Sequence, residues 1–206
     1  MNIFISPKIF KDQNNTVNYA LEKNWFDYAK KLGINLIIIN NSINFNKFFN
    51  KFNPSGLIIT GGGDIYSKKR NRLNLLRDYS ESMYINFFLK KNIPILSVCR
   101  GFQLVCNNLN IKSFKIKKHV RVTHNIRIIN NDKFLNFKRI NTNSYHKYGF
   151  FRLNEKFYPL GVCKDSSIEI AKLKNKLMYL IMFHPERYNK DQKKIDEFIK
   201  NLFLNK

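Results

Sequence analysis

The sequence is poor in cysteine and has no long apolar run. Its 206 residues include three cysteines, Cys99, Cys106 and Cys163, an odd number without the spacing of a zinc site. We therefore expect no disulfide framework and a reducing, cytoplasmic setting. No apolar run approaches the roughly 20 residues of a membrane-spanning helix. The first seven residues also lack the charged start and long apolar core of a signal peptide, so no membrane partner is expected.

Acidic residues are also scarce. Asp and Glu number 14 against 37 Lys and Arg, which leaves a formal net charge of +23. Such a charge could serve an anionic partner, either nucleic acid or a phosphorylated substrate. Because the lysines are dispersed and asparagine is equally abundant, a general compositional bias explains the charge better. Nucleic acid is the remote alternative, and it predicts salt-dependent binding to arbitrary sequences.

Two kinds of apolar pattern alternate along the first half of the chain. Strand-like runs cover residues 2–5, 34–39, 56–60 and 93–98, and helical patterns cover 16–32, 45–52 and 72–90. This alternation predicts an α/β fold, an open parallel sheet with helices on both faces. After about residue 113 we expect strands at 123–129, 138–142, 161–164, 168–173 and 177–183, then a helix over 191–204. With no repeat or flexible linker, residues 1–206 are expected to form one domain.

The stretch from Pro94 to Gln103 predicts an exposed nucleophile. A short apolar strand ends at Val98, and a helix follows Cys99. The free N–H groups and the dipole at the start of that helix favour the reactive thiolate. Strand, nucleophile and helix in this order are typical of a nucleophile elbow, here with cysteine in place of serine.

Two more motifs follow predicted strands, and open α/β sheets bind ligands outside the carboxyl ends of their strands. In His184-Pro185-Glu186, residues two apart face the same side, so Glu186 can orient His184 as the base for Cys99. The glycines Gly61 to Gly63 allow backbone N–H groups to converge on an oxyanion. We expect the oxyanion hole to consist of Gly62, Gly63 and the backbone N–H of Arg100.

Each motif also has a purely structural interpretation. A lone cysteine at such a junction is often a buried small hydrophobe, and three glycines often form only a turn. The coincidence of all three motifs at strand ends favours catalysis. Cys106 and Cys163 are expected to pack in the core. The remaining histidines are not spaced as a metal site, and we expect neither a metal nor a cofactor; they are His119, His124 and His146.

Six stretches within residues 56–187 share their order and spacing with a known family. They are Gly61-Gly62-Gly63-Asp64, Arg77-Asp78 with Glu81, Cys99-Arg100-Gly101-Phe102-Gln103, Asn143-Ser144-Tyr145-His146, Asp165 to Glu169, and His184-Pro185-Glu186. This pattern resembles the class I glutamine amidotransferase superfamily, in particular its γ-glutamyl hydrolase branch of the peptidase C26 type.

The resemblance implies a flavodoxin-like three-layer sandwich with a mostly parallel central sheet and a Cys99–His184–Glu186 triad. It implies that several residues beside the nucleophile hold a glutamyl group: Gly61, Gln103, Asn143, Ser144, Tyr145 and His146. The chain departs from the family pattern at three positions. Ser97 and Ser166 replace usual glycines, and Met182 replaces the usual glutamine before Phe-His-Pro-Glu.

The implied reaction is hydrolysis of a small-molecule γ-glutamyl amide through a glutamyl thioester. Within this branch, the short length and basic surface resemble those of hydrolases that act on a nucleotide-linked γ-glutamyl amidate, so the resemblance implies such a substrate. Its phosphates could bind Lys68, Lys69, Arg70 and Arg72, or Lys117, Lys118 and Arg121, and each cluster is otherwise a solvated basic loop. The alternative enzyme is a glutaminase module that supplies ammonia to a separate synthetase. The Cys-Arg-Gly sequence favours the hydrolase by resemblance.

Overall fold

The computed structural model describes residues 1–204, which form thirteen strands and five helices. The strands are β1 (Asn2–Ile5), β2 (Lys8–Lys11), β3 (Val17–Ala20), β4 (Asn35–Ile38), β5 (Gly56–Ile59), β6 (Ile95–Val98), β7 (Phe114–Lys115), β8 (Val120–Ile128), β9 (Arg139–Tyr145), β10 (Tyr148–Gly149), β11 (Phe157–Val162), β12 (Ile168–Leu173) and β13 (Met178–Ile181). The helices are α1 (Lys23–Leu32), α2 (Phe45–Phe52), α3 (Arg72–Lys90), α4 (Arg100–Asn108) and α5 (Gln192–Leu204). Among these described helices, none combines the length and the hydropathy needed to cross a membrane.

Nine strands form one mixed sheet in the order β4-β1-β5-β6-β13-β12-β11-β8-β9. The strands from β4 to β13 in this order run parallel. The neighbours from β13 to β9 pair antiparallel. The prediction of an α/β fold is confirmed, with the parallel strands making up one half of a mixed sheet. Two small antiparallel pairs, β2–β3 and β7–β10, lie outside it.

Helices cover both faces of the parallel half because its strands are apolar on both sides. In β1, Ile3 and Ile5 pack in the core that contains α1 and α5, whereas Phe4 packs with α2, α3 and α4. All three side chains are fully buried. The two-residue period of a strand thus divides its side chains between two cores and produces three layers.

The first predicted helix begins later than expected. Helical spacing over residues 16–32 predicts one helix, but Val17–Ala20 pairs with Lys8–Lys11 as an antiparallel hairpin, and α1 begins at Lys23. Asp12 stabilises the turn because its carboxylate accepts hydrogen bonds from the N–H groups of Asn14 and Thr16, each at 2.9 Å. Strand pairing and turn chemistry therefore outweigh the apolar period in this segment.

The order of the central strands places the three predicted motifs together. Strand β6 lies between β5 and β13, with Ser97 paired to Ile59 on one side and to Leu180 on the other. Because the three strands run parallel, the segments that follow them leave the sheet at the same edge. These segments contain the glycine loop (Gly61–Gly63), Cys99 and His184.

Candidate active site

Cys99 lies at the sharp turn between β6 and α4. The prediction of an exposed nucleophile is wrong, because Cys99 is only 7% exposed and is reached through the cavity that it lines. The Cys99 φ of 50° and ψ of −95° are costly for a residue with a side chain, and such strain is typical of nucleophile elbows. The Cys99 N–H donates to the Ile181 carbonyl at 2.7 Å, and the Gln103 N–H donates to the Cys99 carbonyl at 3.1 Å. Cys99 is thus the N-cap of α4, where the helix dipole favours a negatively charged sulfur.

Two small residues allow this turn to form. A Cβ on Gly101 would lie 2.8 Å from the Ile59 Cγ2 atom and 2.9 Å from the Ile59 carbonyl oxygen, so only glycine fits without displacement. Ser97 is fully buried in β6, and its hydroxyl has no hydrogen-bond partner among residues 1–204. Serine at position 97, in place of the usual glycine, is therefore compatible with the elbow, but its buried hydroxyl lacks a partner within these residues.

His184 and Glu186 follow β13 and are almost fully buried. The His184 Nδ1 atom lies 2.7 Å from the Glu186 Oε1 atom, which leaves Nε2 for the nucleophile. Burial lowers the pKa of His184, but hydrogen bonds to Cys99 and Glu186 and their negative charges outweigh burial and raise the pKa to about 10. The shift favours the protonated imidazole beside the sulfur, which is the partner that activates a cysteine nucleophile.

A hydrogen-bonded frame fixes the main chain of His184. The Asn143 side chain accepts a hydrogen bond from the His184 N–H and donates one to the His184 carbonyl, each at 2.8 Å. Asn189 donates to the same carbonyl at 3.0 Å and accepts from the Asn143 N–H at 2.8 Å. Strand β9 thereby holds the base against the end of β13.

The glycine loop is held by Arg77. The Arg77 guanidinium donates to the carbonyl oxygens of Gly61 at 3.3 Å and of Gly62 at 2.8 Å. Since the C=O and N–H of a trans peptide point in opposite directions, the N–H groups of Gly62 and Gly63 face away from Arg77. These two glycines have φ values of 80° and 77°, and both line the cavity beside Cys99. Their N–H groups are thus available to a developing oxyanion.

Arg100 is buried beneath the site and joins α4 to α3. Its guanidinium forms ion pairs with Asp78 and Glu81, and Arg77 shares Glu81 at 2.8 Å. Burial raises the pKa of Glu81, but the two guanidinium groups outweigh burial and lower it, so the carboxylate stays ionised. The side chain of Arg100 is thus structural. Its backbone N–H, the first of α4, is free of intrahelical partners.

An open cavity of about 240 Å³ lies in front of the nucleophile. One side of it is the segment Tyr145–Tyr148, which we call the β9–β10 wall. Arg187 also lines the cavity, and its guanidinium lies 4.6 Å from the centre of the Tyr145 ring. The Lys68 ammonium lies 4.4 Å from the centre of the Tyr148 ring. The cavity thus combines a reactive edge from three parallel strands with an aromatic and basic wall.

Comparison with known proteins identifies the family. Residues 16–205 match the family Glutamine amidotransferase class-I. The chain belongs to this family. Cys99, His184 and the glycine loop all lie within the residues that match the family.

The curated relatives of this class I glutamine amidotransferase are named after different enzymes. The gamma-glutamyl-CDP-amidate hydrolase of Campylobacter jejuni is 31% identical over 133 residues, which are 65% of this chain and 62% of that protein. The carbamoyl phosphate synthase small chain of Cyanidium caldarium is 28% identical over 173 residues, 82% of this chain and 40% of that protein. The chain thus spans less than two thirds of either curated relative.

Solved structures agree with the fold. The crystal structure of a GMP synthase subunit from Thermoplasma acidophilum has a TM-score of 0.76 and 17% identity. The two structures align over 100% of this chain and 94% of the T. acidophilum chain. At this identity the likeness shows the α/β fold alone.

The structure separates the predicted site residues of this amidotransferase domain into two groups. Those that line the cavity are Gly62, Gly63, Cys99, Gln103, Tyr145, His146 and His184. The other predicted residues lie outside the lining, and they are Gly61, Arg100, Asn143, Ser144 and Glu186. The side chains of Asn143 and Ser144 bond to the main chains of His184 and His119. Contact of Asn143 and Ser144 with a substrate stays a prediction, as do the roles of the other residues.

His146 lies in the β9–β10 wall, but its imidazole is fully buried. Its Nδ1 atom lies 3.1 Å from the Tyr148 carbonyl oxygen, and its Nε2 atom lies 3.3 Å from a Glu169 carboxylate oxygen. The spacing of the histidines in the sequence suggests no metal site. The fold nevertheless brings ligand atoms of His119, His146 and Glu169 within 4.8 Å of one another.

The sequence analysis missed most of the basic residues around the cavity. Lys147 directly follows the predicted segment 143–146, and Arg187 directly follows Glu186. Their positions next to predicted site residues could have identified both. Lys8 had no such signal, because its side chain comes from the distant β2–β3 hairpin and packs against Gly62. Of the predicted basic clusters, Lys68 reaches the β9–β10 wall.

Proposed function

We propose that the protein hydrolyses a γ-glutamyl amide, with Cys99 as nucleophile, His184 as acid and base, and Glu186 as the carboxylate that orients His184. The proposal rests on one observation above all, the meeting of Cys99, His184 and the glycine loop at a single sheet edge. Family membership supports the coarser reaction, hydrolysis of the side-chain amide of glutamine or of a related γ-glutamyl compound.

The first half of the reaction forms a thioester. The Cys99 thiolate attacks the γ-carbonyl carbon, and the oxygen becomes negatively charged beside the N–H groups of Gly63 and Arg100. The His184 imidazolium then protonates the amide nitrogen, and the carbon–nitrogen bond breaks. The amine leaves, and the glutamyl group remains on the sulfur.

The second half returns the enzyme to its starting state. Neutral His184 removes a proton from water, and the resulting hydroxide attacks the thioester carbonyl. The carbon–sulfur bond breaks, which releases glutamate and regenerates the Cys99 thiolate beside protonated His184. Glu186 keeps its contact with the His184 Nδ1 atom throughout and stabilises the imidazolium.

Two lining residues suit the glutamyl end of the substrate, which carries an ammonium and a carboxylate. Gln103 lies one turn after Cys99 on α4, and its side-chain amide can both donate and accept hydrogen bonds. Asp64 lines the same cavity, and its carboxylate is a partner for the ammonium. We assign the recognition of the glutamyl group to this pair.

The finer proposal concerns the leaving amine, which we assign to a nucleotide-linked amidate such as the γ-glutamyl-CDP-amidate in the name of the C. jejuni relative. Lys147 is exposed and makes no ion pair with any residue of 1–204, so its ammonium is available to a phosphate. Arg187 offers a planar guanidinium, and Tyr145 is 40% exposed. An exposed aromatic ring beside cations suits a nucleobase and its phosphates.

The second candidate is a glutaminase that passes ammonia to a synthetase. Similarity to the carbamoyl phosphate synthase small chain of C. caldarium favours it. The leaving group would then be ammonia, and the β9–β10 wall would contact a partner protein instead of a nucleotide. Free glutamine would be the preferred substrate.

A substrate series separates the two candidates. The assay compares kcat/KM for glutamate release from glutamine, a γ-glutamyl alkylamine, a γ-glutamyl peptide and γ-glutamyl-CDP-amidate. One charge-assisted hydrogen bond contributes about 1.5–3 kcal/mol, so we expect the nucleotide substrate to be preferred by about 10- to 100-fold. A marked preference for free glutamine would contradict the hydrolase assignment and support the ammonia-supplying module.

Three variants test the assigned roles. Cys99→Ala should abolish glutamate release from every substrate while the circular dichroism spectrum stays unchanged. Lys147→Met should raise KM for the nucleotide substrate about 10-fold, the loss of about 1.4 kcal/mol, and leave the γ-glutamyl alkylamine unaffected. Lys200→Met, an exposed position on α5, is the matched control and should change neither. Equal effects of Lys147→Met on both substrates would refute its assignment.

A further inference from the structure

A second cluster of reactive side chains lies beside the β9–β10 wall and outside the triad. It contains His119, just before β8, His146, just after β9, and Glu169 in β12. Their exposed fractions are only 1–2%. The chemistry proposed for Cys99 uses none of these three side chains as acid, base or nucleophile.

The distances within the cluster fit a tetrahedral metal ion. The His119 Nδ1 atom lies 3.5 Å from the Glu169 Oε1 atom, and the His146 Nε2 atom lies 3.3 Å from the Glu169 Oε2 atom. Bonds of about 2.0–2.2 Å to tetrahedral Zn²⁺ place neighbouring ligand atoms about 3.3–3.6 Å apart. Each imidazole is thus at this separation from a different oxygen of Glu169, and the ligand atoms of all three residues lie within 4.8 Å of one another, so a small shift of the side chains brings them around one ion.

Hydrogen bonds on the outer side of the cluster turn lone pairs of both imidazoles inward. The His119 Nε2 atom lies 2.8 Å from the Asp165 Oδ2 atom, and the His146 Nδ1 atom lies 3.1 Å from the Tyr148 carbonyl oxygen. Both partners are acceptors, so these two ring nitrogens are the donors. The opposite nitrogens of His119 and His146 then present lone pairs to Glu169. Metal-binding histidines are oriented by such carboxylate and carbonyl partners.

The inward-facing atoms lack hydrogen-bond partners within residues 1–204. This holds for Nδ1 of His119, Nε2 of His146 and Oε2 of Glu169. It also holds for Nε2 of His124, whose ring centre lies 4.1 Å from that of His119. Buried polar atoms are normally paired, and acceptors that face one another repel. A shared cation would satisfy them together.

We propose that His119, His146 and Glu169 bind a divalent transition-metal ion, Zn²⁺. Two imidazoles and a carboxylate are a ligand set of zinc, with a fourth position open to water or another donor. Mg²⁺ and Ca²⁺ prefer sites made of oxygen alone and suit this cluster poorly. The ion links the start of β8, the β9–β10 wall and β12, and so orders the wall that faces the nucleophile.

Metal titration of the Cys99→Ala chain tests the proposal, because this chain lacks the catalytic thiolate that could itself bind a metal. After dialysis against a chelator, calorimetry with Zn²⁺ should report about one ion per chain. Co²⁺ should produce the visible absorption of a tetrahedral site without a thiolate charge-transfer band. Added Zn²⁺ should raise the melting temperature, since it binds the folded chain.

Variants in the same Cys99→Ala background locate the ion. We expect His119→Asn and Glu169→Gln to weaken Zn²⁺ binding at least about 10-fold, whereas His184→Asn, the matched histidine control in the triad, should leave it unchanged. Circular dichroism verifies folding, and the His119→Asn chain decides the outcome if Glu169→Gln does not fold.

Three results would overturn the proposal: no Zn²⁺ binding by the Cys99→Ala chain, unchanged binding in both cluster variants, or loss of binding in the triad control. The first result would mean that protons alone satisfy the cluster. The inference does not depend on the proposed function, because glutamate release by the wild-type chain is measured separately.

Discussion

Replacement of Gly61 by alanine tests whether the position of the base limits catalysis. Gly61 is the first glycine after β5 and faces both reacting side chains. An added Cβ would lie 2.5 Å from the His184 Cε1 atom and 3.3 Å from the Cys99 Cβ atom. The new methyl group would therefore occupy the space in which nucleophile and base meet.

The structure sets the size of the expected effect. To restore an ordinary contact of 3.4 Å from 2.5 Å, the His184 ring must retreat by about 0.9 Å. The ring is not free to swing, because Glu186 holds its Nδ1 atom and Asn143 holds its main chain. A misplacement of about 1 Å costs about 100-fold in rate, which corresponds to about 2.7 kcal/mol of barrier. We expect this loss in kcat for glutamate release.

Gly56→Ala is the matched control. A Cβ at Gly56, at the start of β5, would lie 2.3 Å from the Phe203 ring, so the overlap is similar but lies in the core. Overpacking there should lower the free energy of unfolding by about 1–3 kcal/mol and leave kcat unchanged in the folded enzyme. The assays are kcat, urea denaturation and the rate of Cys99 alkylation at neutral pH.

Two results would refute this reasoning. One is a Gly61→Ala enzyme that keeps more than half of the wild-type kcat, because the base would then tolerate the methyl group. The other is an equal loss of kcat in the Gly56→Ala control, because general destabilisation would then explain both variants. Alkylation of Cys99 should be slower than in the wild type only in Gly61→Ala, because there the methyl group moves the His184 ring away from the sulfur.

The base and its frame allow two more tests. Cys99 and Glu186 together raise the pKa of His184 to about 10 from 6.5, and Glu186→Gln removes the charge of the second partner, so kcat should fall. The pKa of His184 is higher in the folded chain than in the unfolded chain, so its charge stabilises the folded wild type relative to this variant. This extra stability should be complete below pH 6.5 and should disappear as the pH rises through about 10. Urea denaturation at a series of pH values measures it. Asn143→Ala removes two hydrogen bonds to His184, so kcat should fall and the free energy of unfolding should drop by about 1–3 kcal/mol. Asn125→Ala, exposed on β8, should change neither, and a wild-type kcat in Asn143→Ala would contradict the frame.

Prediction from sequence was most successful where the structure is local. The helix bounds of α2 and α3 and the end of α1 at Gly33 follow from nearby residues, and Gly33 has the left-handed φ of 69° expected of a helix stop. It failed at Val17–Ala20, where pairing with β2 overrides helical spacing. The apolar period describes one chain segment and contains no information about its partner strand.

Short segments of the sequence are sufficient to predict the residues of the reactive edge. The strand–Cys99–helix turn, the glycine loop and the pairing of His184 with Glu186 each depend on a few consecutive residues. Parallel strands then bring them to one edge.

The surroundings of that edge depend on contacts between residues that are far apart in the sequence. Asn143 contacts His184 across 41 residues, and His119 contacts Asp165 across 46. These contacts depend on the register of the antiparallel half of the sheet and on the loops that join its strands. No local pattern specifies that register, so the frame of the base, the β9–β10 wall and the buried histidine cluster emerge only when the chain is folded.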